Sequence, residues 1–310
     1  MPDVEATPPA PGPALKPLGV GDVLDRTFNV YKQRPLLFIA LSAIWYLLLV
    51  IVFVVLAVAI FASAITTFVR QSPQNVDPAT LIGAASSFVA FVIIGILVAI
   101  LLFSAQSASL IRAAGLRYMG KETNVGEAFG AGLRASPRVF LAGLLAFVLI
   151  ALFWIAVFIV AALIGGLTQS GGITALAIFV AVCAAIVATF YLTASWLVTP
   201  IVIVVEGLGP IAALSRSWGL SSGNRWRIIG IQFLLGLLNL VLSALLSSLF
   251  AIGGQAGQGT GLVLQQVANF ASTIVWAPVE WIAFTVLYYD LRVRKEAFDL
   301  QLAAEALPAS

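Results

Sequence analysis

GLVLQQVANFASTIVWAPVEWIAFTVLYYDLRVRKEAFD, residues 261–299, decides the fold. Its first part runs from Val267 to Tyr289 with only two charged or strongly polar interruptions, Asn269 and Glu280. That is enough for a helix to cross a bilayer, which takes about 20 apolar residues. Its second part is a collar of Arg292, Arg294 and Lys295 behind the interfacial pair Tyr288 and Tyr289, the pattern of a helix leaving the membrane on the cytoplasmic side. Glu280 precedes Asp290 by about 15 Å at the helical rise, near the middle of a core roughly 30 Å thick. A carboxylate at that depth is costly in lipid, so Glu280 is expected to face the bundle interior or a wet cavity.

The rest of the chain is of the same kind. Hydrophobic residues make up 61% and charged residues 9% of the 310 residues, against about 25% charged in soluble domains; mean hydropathy is +1.08. Six apolar runs, about 36–69, 81–111, 139–167, 173–205, 228–252 and 262–289, are each long enough to span. The expected fold is all-α: six transmembrane helices in three hairpins, joined on one side by turns rich in Gly, Ser, Gln and Pro. The six prolines among the first 17 residues mark a disordered tail, with no basic segment leading into an apolar one as in a signal peptide. The membrane domain is then 18–300, followed by a short tail at 301–310.

Charge placement sets the orientation. Every basic residue except Arg70 falls before the first run, after an even-numbered run, or after the last. The positive-inside rule puts those segments, and both termini, in the cytoplasm. The inside segments also resemble one another. In VGDVLDRTFNVYKQRP (20–35), VGEAFGAGLRASPR (125–138) and LGPIAALSRSWGLSSGNRWR (208–227), apolar residues recur at helical spacing opposite polar ones. Each is expected to form an amphipathic interfacial helix ahead of a hairpin, giving pseudo-repeats at about 18–119, 120–205 and 206–299.

Three segments together, LGVGDVLDRTFNVYKQRP (18–35), VVEGLGPIAALSRSWGLSSGNRWRIIG (204–230) and LYYDLRVRKEAFD (287–299), resemble the membrane domain attached to some bacterial glycerophosphodiester phosphodiesterases, a domain that also occurs alone. The resemblance spans roughly 18–300 and implies a multi-helix module of the bacterial cytoplasmic membrane. It carries over no functional residue. The phosphodiesterase half of such proteins needs histidines and acidic metal ligands, and this chain has no histidine.

Several chemistries lose their residues. Gly219-Leu220-Ser221-Ser222-Gly223 fits the nucleophile-elbow pattern, but that pattern needs a histidine base. Gly19-Val20-Gly21-Asp22 and Tyr289-Asp290 have the residue pairs of intramembrane aspartyl proteases in the reverse order and at the membrane boundary. One cysteine, Cys183, and no histidine leave no zinc-type ligand set. The basic residues hug helix ends, so no nucleic-acid partner is expected. The chain reads as non-enzymatic and free of cofactors.

Two groups remain as candidate sites. One is a polar layer near mid-depth: Glu280, Asn239, Thr193, Ser195 and the shallower Gln106, with Pro200 and Pro278 interrupting two runs beside it. Polar groups at depth on kinked helices serve substrate paths and interhelical packing alike. The other is the collar of Arg216, Arg225, Arg227, Arg292 and Arg294, placed to meet anionic head groups. The function expected is binding, positioning or moving a membrane lipid or lipid-linked metabolite. The alternatives are a scaffold for another membrane protein and a proton-coupled transporter using Glu280.

Overall fold

The structure is a computed structural model that describes residues 17–70, 77–168, 170–251 and 258–305. The expected proline-rich tail, apart from Pro17, and most of two turns lie outside these residues. Among the described residues all regular structure is helical: α1 (Val20–Gln33), α2 (Pro35–Arg70), α3 (Pro78–Tyr118), α4 (Val125–Thr168), α5 (Gly171–Trp196), α6 (Thr199–Glu206), α7 (Pro210–Ser221), α8 (Arg225–Ala251), α9 (Gln258–Glu296) and α10 (Phe298–Glu305). Six helical segments are long and apolar enough to cross a membrane, α5 and α6 together making one of them. The protein is a multi-pass, all-α membrane protein.

The helix breaks follow local chemistry. Pro200 cannot donate the hydrogen bond that would continue α5, and the chain re-forms as α6 with this proline in its first turn. Gly207 then ends α6 in the left-handed region (φ 72°), its N–H bonded to the Ile203 carbonyl, a conformation glycine adopts without penalty. Pro137 has a different outcome. The segment 125–138 is not a separate interfacial helix; it runs unbroken into the span as the first turns of α4. A proline here frees the carbonyl four residues back. The Ser136 hydroxyl accordingly donates to Leu133 O at 2.9 Å, so the helix continues through the site. α10 crosses the boundary between the membrane domain and the C-terminal tail, at 298–305.

α9 is the central helix. In its apolar window 67% of the residues are buried, against 6–17% in the other spans. The outward faces of α2, α3, α4, α5 and α8 carry exposed Leu, Ile, Val and Phe, as a lipid-facing surface requires. α3 packs on α2, α4, α6 and α9. The α3–α4 crossing is set by Gly132, where a Cβ would fall 2.5 Å from Ala105 O and 2.8 Å from Ser109 N. Small residues allow such close approach between membrane helices. Beside it, Trp45 of α2 donates to Ser109 Oγ at 3.0 Å and stacks on Phe129 with centroids 4.6 Å apart.

Candidate functional site

The basic collar folds into a network rather than an open fringe. Asp290, at the end of α9, has a fully buried carboxylate. It accepts from Leu18 N at 2.7 Å, Arg227 Nη1 at 2.6 Å and Arg294 Nε at 3.1 Å. Both guanidinium groups also donate to Leu18 O, at 2.7 and 2.6 Å. A second knot joins Arg216 to Glu206 (3.0 Å) and to Glu296. Tyr288 donates to Glu206 at 2.7 Å, and Arg292 reaches Glu296 at 3.0 Å while covering the Phe298 ring at 3.8 Å. The Glu296 hydrogen bond, helped by Glu206, holds the Arg216 guanidinium well above its ordinary range. Arg225 bonds to the Tyr191 hydroxyl and lies over Trp218 at 4.1 Å.

All five arginines proposed to meet head groups are therefore engaged by the protein itself. Four of them neutralise Asp290, Glu206 and Glu296. The aspartate pair is equally structural: Asp22 accepts from Gly19 N at 2.8 Å, next to the amide held by Asp290, and Asp290 is paired with Arg227 and Arg294.

A different set of arginines lines a recess that the sequence did not single out. Arg112, Arg134 and Arg138 border a cavity of about 260 Å³ with Glu127, Ala135, Val204 and Gly207, between α3, α4 and α6. Arg112 and Glu127 are paired loosely at 3.6 Å. Arg138 donates to the Gly207 carbonyl at 2.9 Å, and Arg134 turns back on its own helix.

Along the same helices lies an apolar cavity of about 490 Å³, lined by Leu97, Ile100, Val139, Ala142, Gly143, Phe147, Trp196, Thr199 and Pro200 among others. On α4 the arginine recess ends at Arg138 and the apolar cavity begins at Val139; on α6 one uses 203, 204 and 207 and the other 199 and 200. The two are stacked, polar above apolar. Thr199 lines the apolar cavity, and its buried hydroxyl has no partner among the described residues.

The mid-depth polar layer is assembled only in part. Glu280 and Asn239 line one cavity of about 340 Å³, with Tyr46, Ser243, Asn269, Ser272 and Thr273 beside Trp276 and Trp281. Gln106 stands behind it, donating to Ser42 Oγ at 3.1 Å and lying beside Tyr46. Thr193 and Ser195 do not reach it. Their hydroxyls bond to carbonyls of their own helix, at Phe190 and Tyr191, so these two members of the expected layer lie outside the cavity. The Glu280 carboxyl has no hydrogen bond or ion pair among the described residues. A signal for the rest was present. Gln265, Asn269, Ser272, Thr273, Trp276 and Glu280 recur at three- and four-residue spacing, one face of a helix. Ser247, Ser243 and Asn239 do the same on α8.

The helical bundle thus carries an apolar crevice bordered by arginines and, beside it, a polar cavity. Residues 113–291 match the model of a domain of unknown function, DUF7847. This is more than half of the chain, which belongs to that family. No curated protein and no solved structure matches it.

Proposed function

We propose that the protein binds and positions a phospholipid or lipid-linked metabolite in the crevice between α3, α4 and α6. The observation that carries this reading is the stacking of an arginine recess directly on an apolar cavity along α4 and α6. An amphiphile has the same order of groups. Its phosphate meets Arg112, Arg134 and Arg138, which give charge-assisted and bidentate hydrogen bonds to phosphate oxygens; its acyl chain takes the place beside Phe147 and Trp196. Placing the arginine end in the cytoplasm of a bacterium sets this recess at the level of the inner-leaflet head groups. The resemblance to the membrane domain of glycerophosphodiester phosphodiesterases supports the same reading, as part of the proposal. The protein acts here by binding rather than by bond-making chemistry.

Native mass spectrometry of the protein released from membranes in mild detergent tests the proposal. Phospholipid is expected to stay bound. Gly143 lines the cavity and has open space at its Cβ position, so Gly143→Trp fills the crevice and should remove the lipid without lowering the melting temperature. Wild-type protein that carries no lipid, or a Gly143→Trp variant that carries as much, overturns the reading.

A further inference from the structure

The carboxyl of Glu280 has no place in the lipid crevice. Its cavity lies on the other side of Phe103 and Trp281, which line both spaces, with their rings 6.1 Å apart. We infer that this cavity is a separate binding site for a small organic cation, an ammonium compound that reaches Glu280 along the α8–α9 seam from the end of the bundle opposite the arginines.

Three observations carry this. First, Glu280 is the one acid lining the cavity, no Lys or Arg lines it, and its carboxyl has no partner among the described residues. A carboxylate taken out of water is costly unless a cation or several hydrogen bonds compensate it. Every other carboxylate near the bundle core, Asp290, Glu206 and Glu296, has such compensation from arginines. A cation in the cavity would supply the compensation that Glu280 lacks.

Second, the walls suit an ammonium rather than a bare metal ion. Trp276, Trp281 and Tyr46 present aromatic rings, which attract organic cations through their π faces. Asn239 and Ser243 add polar acceptors. The volume, about 340 Å³, is far above the roughly 10–15 Å³ that one water needs.

Third, a polar track leads to it. Gln265 bonds to Ser247 at 3.1 Å and to Asn269 at 3.3 Å. One to two turns deeper, Ser243 bonds to Ser272 at 2.9 Å and to Asn239 at 3.4 Å. From Gln265 to Glu280 the track drops about 22 Å along α9. Gln265, Asn269 and Thr273 remain exposed at this depth. Polar groups are tolerated within the membrane where they line water, and this track is the route assigned to the cation. It stops at Glu280, because α9 continues below as buried Ala283, Phe284 and Leu287. The site is a dead-ended vestibule with a carboxylate at its floor.

Titration of the purified full chain in detergent with choline, methylammonium and sodium chlorides, followed by calorimetry, tests the inference. Choline and methylammonium are expected to bind saturably, and sodium is expected neither to bind nor to compete. Glu280→Gln should weaken both ammonium ions at least about tenfold, the size of losing one charge-assisted contact. Trp276→Leu should weaken choline more than methylammonium, since only the larger ion covers the ring. Should Glu280→Gln not fold, Asn239→Leu, at the same cavity, is expected to weaken binding in its place. Absence of saturable ammonium binding, equal binding of sodium, or undiminished binding by folded Glu280→Gln overturns the site. Gly143→Trp is expected to leave choline binding unchanged; if it abolishes it, the ammonium site is part of the lipid crevice and the inference of a separate site is wrong.

Discussion

Replacing Asp290 by alanine should be the most damaging single change at the charged end of the bundle. The substitution leaves Arg227, 18% exposed, without its carboxylate, and frees the buried Leu18 N–H. Breaking a buried pair costs about 3–5 kcal/mol. The pair with Arg294, whose side chain is 32% exposed, adds at most about 1 kcal/mol, as for a surface bridge. Both arginines keep their bonds to Leu18 O, which softens the loss, so the low end applies: about 3 kcal/mol. At roughly 2–4 °C per kcal/mol for chains of this order of size, the melting temperature in mild detergent should fall by about 6–12 °C. Tryptophan fluorescence during heating reads this directly. The control is Glu122→Ala, which removes a bridge to Arg34 whose side chains are 84% and 55% exposed and should leave the melting point unchanged. If Asp290→Ala melts within about 2 °C of the wild type, or no lower than Glu122→Ala, the network around Leu18 does not hold the bundle together.

Two further outcomes are expected. Gly132→Ala places a methyl against Ala105 O and Ser109 N, forcing α3 and α4 apart at a cost of about 1–3 kcal/mol; thermal unfolding should show it, and a melting point equal to the wild type would mean that the crossing is looser than it looks. Cysteines placed one at a time at Ser72 and Gln255 should react with an impermeant maleimide on intact cells while one at Ser222 should not; the opposite pattern reverses the proposed orientation.

The sequence displays the spans because membrane helices obey one strong constraint, continuous apolar length, and it displays the charge sorting for the same reason. What it hides is which polar groups are already satisfied. Arg216 and Arg294 look alike as residues beside a helix end, and both look available; only the fold shows Glu206, Glu296 and Asp290 beneath them. Thr193 and Ser195 have the right depth but the wrong faces, with hydroxyls that bond back to their own helix, a habit of Ser and Thr in membrane helices. Asn239 and Glu280 do line one cavity, because α8 and α9 are consecutive and pack along their length. The continuity of α4 through Pro137 rests on one hydroxyl at Ser136, a compensation that a proline rule cannot anticipate. Arg112, Arg134 and Arg138 were visible only as topology signals until α6 folded back beside them.

The bond between Leu18 and Asp290 closes over 272 residues, and this has a consequence for how the chain is made. The first helix packs on the last long one, so its seat does not exist while the spans between them are being threaded into the bilayer. At about 5–20 residues per second, α1 waits roughly 14–54 s with Val23 and Val30 uncovered, residues that the finished protein buries. A polypeptide cut short before α9 lacks the main seat of α1, and that apolar stripe stays largely uncovered.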